Sequence, residues 1–160
     1  MKIPKFVFPL LVLWGLLVVV AVGTLVFLKS ANPHNVLYAH ADRVLPKFAR
    51  FPNAGRDMFM GSFSLPDGTE VTVNDFTGPL PPTKKGAESV SVDGHDLSFN
   101  FARTAASTLI SCQIPVPSTE EFHLAFTASV NPSLEKSTIS QLAPLIVELE
   151  KEMEKDQRAK

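Results

Sequence analysis

Asp93, His95 and Asp96 lie close together, and an imidazole between carboxylates can bind a cation or pass protons. The dipeptide Asp93-Gly94 is also what a tight hairpin turn requires, and the turn is the role we expect of it. Cys112 with His123 or His95 would make a nucleophile and its base, because a thiolate beside an imidazole is reactive. Cys112, however, shares its alternating phase with Ile110, Ile114 and Val116, where cysteine acts as a small buried hydrophobe. His123 is on the opposite phase from Phe122 and Leu124, which predicts an exposed or interfacial side chain. His34, His40, His95 and His123 are spaced so that no two share a helix face, a poor metal kit beside one cysteine. The sequence contains no phosphate-binding glycine loop, GxSxG, HExxH, CxxC or CxxCH motif. No catalytic, cofactor-binding or metal-ligating residue is therefore assigned, no cofactor is expected, and the chain is expected not to be an enzyme.

Binding chemistry is better represented. The loop Thr77 to Gly86, TGPLPPTKKG, places Pro79, Pro81 and Pro82 beside Lys84 and Lys85. Proline-rich segments are preformed and extended, so they lose little entropy on docking. The same residues also suit a rigid connection between two hairpins. A second candidate contact lies in the apolar run Phe6 to Leu28, where Gly15 and Gly23 flank Val19 and can smooth one face for a neighbouring helix. Trp14 falls near the middle of that run, away from the interfacial belt that tryptophan favours, which suits packing on a protein.

These residues must be held by a small number of elements. As a helix, Phe6 to Leu28 would cover roughly 34 Å against a bilayer core of about 30 Å, so one membrane span is expected. Pro9 is close enough to the start of this helix to be tolerated. A cleaved signal peptide is the alternative, with Ala21-Val22-Gly23 as the cleavage site. The run exceeds the usual signal core of about 7 to 15 residues and resumes after that site. Lys2 and Lys5 on one side nearly balance Lys29, Arg43 and Lys47 on the other. We place the N-terminus inside because so short a flank has nothing to fold, leaving the remainder extracytoplasmic.

The domain boundaries expected are a flank at 1–5, the transmembrane helix at 6–28, a juxtamembrane helix and connector at 29–57, and a sheet with a C-terminal helix at 58–160. Asn32-Pro33 suggests a cap followed by a first-position proline, and Val36, Leu37, Ala41, Val44, Leu45 and Phe48 recur near helical spacing in a short amphipathic helix weakened or ended at Pro46. From Met58 the period becomes two. Phe59, Gly61, Phe63 and Leu65 lead through Pro66-Asp67-Gly68 to Val71 and Val73, and Val90 and Val92 lead through Asp93-Gly94 to Leu97, Phe99 and Phe101. Two further alternating runs, Ile110 to Val116 and Phe122 to Val130, complete an antiparallel meander of about six strands with one face buried. Asn131-Pro132 opens a final helix with the stripe Leu142, Leu145, Ile146, Leu149 and Met153. Pro144 is expected to break that helix, and Glu148 to Lys160 to trail into solvent. The fold class expected is thus α+β, with a transmembrane helix followed by one domain.

The formal charge is −1 from 15 basic and 16 acidic residues. Lys2 and Lys5 precede the apolar run, so the part beyond it carries about −3 and lacks the footprint for nucleic acid or anionic lipid. The only Asn-x-Ser/Thr sequence, Asn131-Pro132-Ser133, is disqualified by its proline, which leans towards a bacterial envelope, either periplasm or cell surface. A single cysteine rules out an internal disulfide. The function expected is a non-catalytic, single-pass accessory subunit or assembly factor of a larger membrane complex, with other membrane protein subunits and the bilayer as partners. The alternative is a tethered module for a lipid or other apolar ligand, in which twelve phenylalanines are more than the core needs and some line a pocket between the sheet and the final helix.

Overall fold

The computed structural model describes residues 14, 17–20, 33–52, 54–55, 58–78, 80–82, 86–117 and 122–158. The chain divides into two units, Met1–Val36 and Leu37–Lys160. In the first, Trp14 and residues 17–20 are helical and exposed. The rest of the apolar run, Gly15 and Gly23 included, lies outside the described residues. Among the described residues no helix is long and apolar enough to cross a membrane.

The second unit is α+β. Helix α1 (Pro33–Val44) begins just before it and ends ahead of Pro46, where Leu45 N still donates to Ala41 O at 2.8 Å and Lys47 turns the chain at φ 52°. Seven strands follow: β1 (Ala49–Arg50), β2 (Met60–Ser64), β3 (Glu70–Thr77), β4 (Glu88–Val92), β5 (His95–Arg103), β6 (Thr108–Pro115) and β7 (Phe122–Val130). A single 3-10 turn, Pro132–Leu134, then leads into α2 (Glu135–Arg158). Asn131 Oδ1 caps that turn by accepting from Ser133 N at 3.0 Å, as Asn-Pro led us to expect.

The sheet is antiparallel throughout, in the order β1-β2-β3-β7-β6-β5-β4. This corrects the expected meander of about six strands. Among the described residues there are seven, and β3 pairs with β7 rather than with the strand that follows it in sequence. The physical reason is that alternation assigns a face to each residue but carries no information about which strand lies alongside. Both expected hairpins form. Gly68, at φ 85°, closes β2–β3, and Asp93 and Gly94, at φ 50° and 82°, make the left-handed pair that suits a two-residue hairpin.

Helix α2 covers one face of the sheet. Ile139, Leu142, Ala143, Ile146, Val147, Leu149 and Met153 share a buried cluster with Phe63, Val71, Val73, Phe99, Ile110, Ile114, Leu124 and Phe126. Leu37, Ala41 and Leu45 add α1 to the same cluster. Arg43 Nη1 to Glu152 Oε1 (2.8 Å) and His40 Nε2 to Asp156 Oδ2 (3.1 Å) run from α1 to the last turns of α2.

Two expectations about α2 are corrected here. The helix is continuous through Pro144, and it stays on the domain beyond Glu148, since Leu149 and Met153 are buried. An interior proline costs about 3 kcal/mol, whereas each buried aliphatic side chain returns about 1.5–3 kcal/mol. Leu142 and Ala143 before the proline and Ile146 and Val147 after it are all buried, so packing outweighs the break, and Pro144 itself faces solvent.

Candidate functional site

Alternation sends every second residue of each strand to the face that carries neither helix. Register places Ser62, Thr72, Thr127, Ser111 and Asn100 side by side across β2, β3, β7, β6 and β5. The adjacent row runs Met60, Asn74, Ala125 and Gln113 across β2, β3, β7 and β6, and Ser98 and Ser89 pair on β5 and β4. A third contains Phe76, His123 and Pro115 on β3, β7 and β6, and Asp96 lies opposite Ser91 on β5 and β4. Hydroxyl and amide groups therefore dominate the centre, and the charged side chains of these strands on this face, Glu70 and Asp96, stand at its ends. Such a lattice donates and accepts hydrogen bonds while both of its charges are acidic, which disfavours phosphate and nucleic acid.

Phe76 and His123 form the aromatic margin of this face. Their rings stack at 5.5 Å between centroids and 13° between planes, and Phe76 remains 45% exposed. His123 is buried, correcting the expectation of an exposed or interfacial side chain: its ring is covered on one side by Phe76, and Nδ1 lies 3.2 Å from Gly78 O. With the proton on Nδ1, the ring donates to that carbonyl and ties the start of the proline-rich connection to β7.

The proposed loop contacts divide. Pro81 and Pro82 are exposed, as is Leu80, whereas Pro79, Lys84 and Lys85 lie outside the described residues. In the N-terminal run, Trp14 is 66% and Val19 71% exposed, and Gly15 and Gly23 lie outside the described residues.

The residues that suggested catalysis do not converge. Asp93 Oδ2 accepts from Lys151 Nζ at 2.7 Å, and this bonded ammonium holds its carboxyl below the usual range. His95 Nδ1 lies 3.2 Å from Glu150 Oε2 on α2, and burial raises the Glu150 carboxyl above its ordinary range while His95 opposes that rise. Asp96 sits on the opposite face from His95 by strand alternation. Cys112 is fully buried opposite Phe99 and Phe126, and burial pushes its thiol up to about 12, leaving almost no thiolate near neutrality. Since Cys112 and His123 project to opposite faces, they cannot form a dyad.

Sequence reasoning missed the polar rows. Their signal was present as the off-phase residues of each strand, but their alignment depends on the β3–β7 pairing. It also missed a corner built by Tyr38, whose ring packs on Phe59 at 4.7 Å and beneath the Arg50 guanidinium at 4.4 Å. The Tyr38 hydroxyl accepts from Met60 N at 3.1 Å and lies 3.2 Å from Met58 O, to which it can donate. Arg50 also pairs with Asp42, so α1 is fastened to the start of the sheet. Phe59, Phe63, Phe99 and Phe126 are among the largest fully buried side chains of the core. The chain matches no protein-family model, no curated protein and no solved structure.

Proposed function

We propose that this chain is a non-catalytic, single-pass accessory subunit or assembly factor of a larger membrane protein complex. Its N-terminal run, Phe6 to Leu28, spans the bilayer with the N-terminus inside, and the α+β domain stands on the extracytoplasmic side. The partner contacts the polar face of the sheet, with the exposed Phe76 and the Leu80-Pro81-Pro82 segment at its margin. The observation that carries this reading is the asymmetry of the sheet, whose helices both lie on one face and leave aligned, uncharged hydrogen-bonding rows on the other.

The small size of this face makes a membrane tether part of its function. Strands about 4.8 Å apart and alternate residues about 6.8 Å apart give the face a footprint of roughly 25 by 20 Å, or about 500 Å². A stable interface needs about 800 Å² per partner, so this face alone holds weakly. Confinement to one bilayer raises effective concentration and compensates for that shortfall. The test is recovery of partners from native membranes with the wild-type chain and with Thr127→Arg. Loss of the same proteins with the folded variant supports docking through this face, and unchanged recovery contradicts it.

A further inference from the structure

The two edges of the sheet are not equivalent. The β1 edge is two residues long and carries Arg50, whereas the opposite edge, β4, is five residues, ESVSV, with no lysine, proline or glycine to blunt it. Because Val92 and His95 close a two-residue hairpin, they are a hydrogen-bonded pair, as are Val90–Leu97 and Glu88–Phe99. By the same alternation, Ser89 and Ser91 turn their backbone N–H and C=O groups away from β5. Both are exposed, and no strand lies beyond them among the described residues.

We propose that β4 is a self-pairing edge, joining a second copy of this chain in antiparallel register about a two-fold axis through Val90. The sequence is self-complementary in that register. Ser89 meets Ser91 of the second copy in a hydrogen-bonded pair, and the symmetric pair repeats it. Val90 meets Val90 in the closer, non-hydrogen-bonded arrangement, on the helix-covered side where both Val90 and Val92 already pack against the core. Glu88 falls opposite Val92, so the strand's one charge never faces its copy. The strand is short, so the association is weak in dilute solution and depends on the two-dimensional confinement of the tethered chain. This pairing is independent of the polar face and of any other partner.

Cross-linking of the full-length chain in its native membrane tests the register. In a two-fold pairing the Val90 Cα atoms are about 4.5 Å apart, within disulfide reach, whereas those of Ser89 are more than about 8 Å apart and beyond it. Cys112 is buried and does not compete. Under mild oxidation, Val90→Cys is expected to form at least about tenfold more disulfide-linked dimer than Ser89→Cys. Adding Ser91→Pro, which removes an outward N–H without touching the β4–β5 ladder, is expected to abolish that excess. Equal yields at the two positions overturn the proposal, as does a Val90→Cys excess that survives Ser91→Pro. Contacts between the N-terminal runs alone would raise both yields together.

Discussion

Thr72 of β3 lies directly opposite Thr127 of β7, so two β-branched hydroxyl side chains adjoin where strands distant in sequence meet at the middle of the polar face. Thr127→Arg would put a cation into these uncharged rows from a half-buried position. The expected result is loss of partner recovery with a stability change of no more than about 1 kcal/mol, compared with near neutrality for Ser129→Arg at the exposed end of the strand. Thermal unfolding alongside affinity recovery separates the two effects.

Gly61 is set by close packing. A Cβ there would come within 2.7 Å of Ala49 O and against the Phe48 ring, which itself stacks on Phe59. Gly61→Ala is expected to cost on the order of 1–3 kcal/mol, because the β1 backbone must move. Gly55→Ala, whose nearest contact would be Met58 Sδ at 3.8 Å, is the matched control and should leave the melting temperature nearly unchanged.

Pro144 leaves the Ser140 carbonyl without its helical donor in an otherwise continuous α2. Pro144→Ala should raise the melting temperature, by an amount corresponding to at most about 3 kcal/mol. A fall would contradict a net local cost at Pro144.

The acid limb of stability is assigned to particular pairs. Glu135 receives Arg103 through both carboxylate oxygens, at 2.7–3.1 Å, and also Thr108, which together hold its carboxyl below the usual range. Hydrogen bonds to Asp67 from Thr69, Gln141 and Ser137 act in the same direction. A carboxyl lowered on folding contributes stability above its unfolded value and loses it as pH falls through the folded value. Glu135→Gln should therefore lower the melting temperature near neutrality and flatten its decline in acid. Glu150 has the opposite sign: its raised carboxyl favours the folded state at low pH, and that contribution is lost as pH rises through the folded value. Melting curves across pH 3 to 8 for the wild type, Glu135→Gln and Glu150→Gln would show the two slopes separately.

Cys112 should resist alkylation in the folded protein and react fully in denaturant, because its thiol is buried and raised to about 12. Rapid labelling of the native chain at neutral pH would contradict its placement between Phe99 and Phe126.

Much of the domain is legible from local chemistry. Phe59, Gly61, Phe63 and Leu65 announce their buried face by alternation, Asp93-Gly94 specifies its turn, and Asn131-Pro132 marks the entry to α2. What was hidden depends on tertiary structure. The pairing of Val71 with Ala128 joins segments that no local pattern connects, and the polar rows exist only once that pairing is made. Pro144 misleads because propensity speaks for an isolated helix, whereas buried neighbours on both sides decide the outcome. His123 misleads because a polar phase implies exposure only when nothing packs on it, and here Phe76 and Gly78 do.

The most direct test of the proposed function is isolation of the full-length chain from its native membrane in mild detergent, with native sizing and mass spectrometry of what accompanies it. A discrete complex of fixed composition, containing other membrane proteins and lost with Thr127→Arg, is the expected result. Recovery of this chain alone, in one copy or two, would contradict the accessory-subunit function.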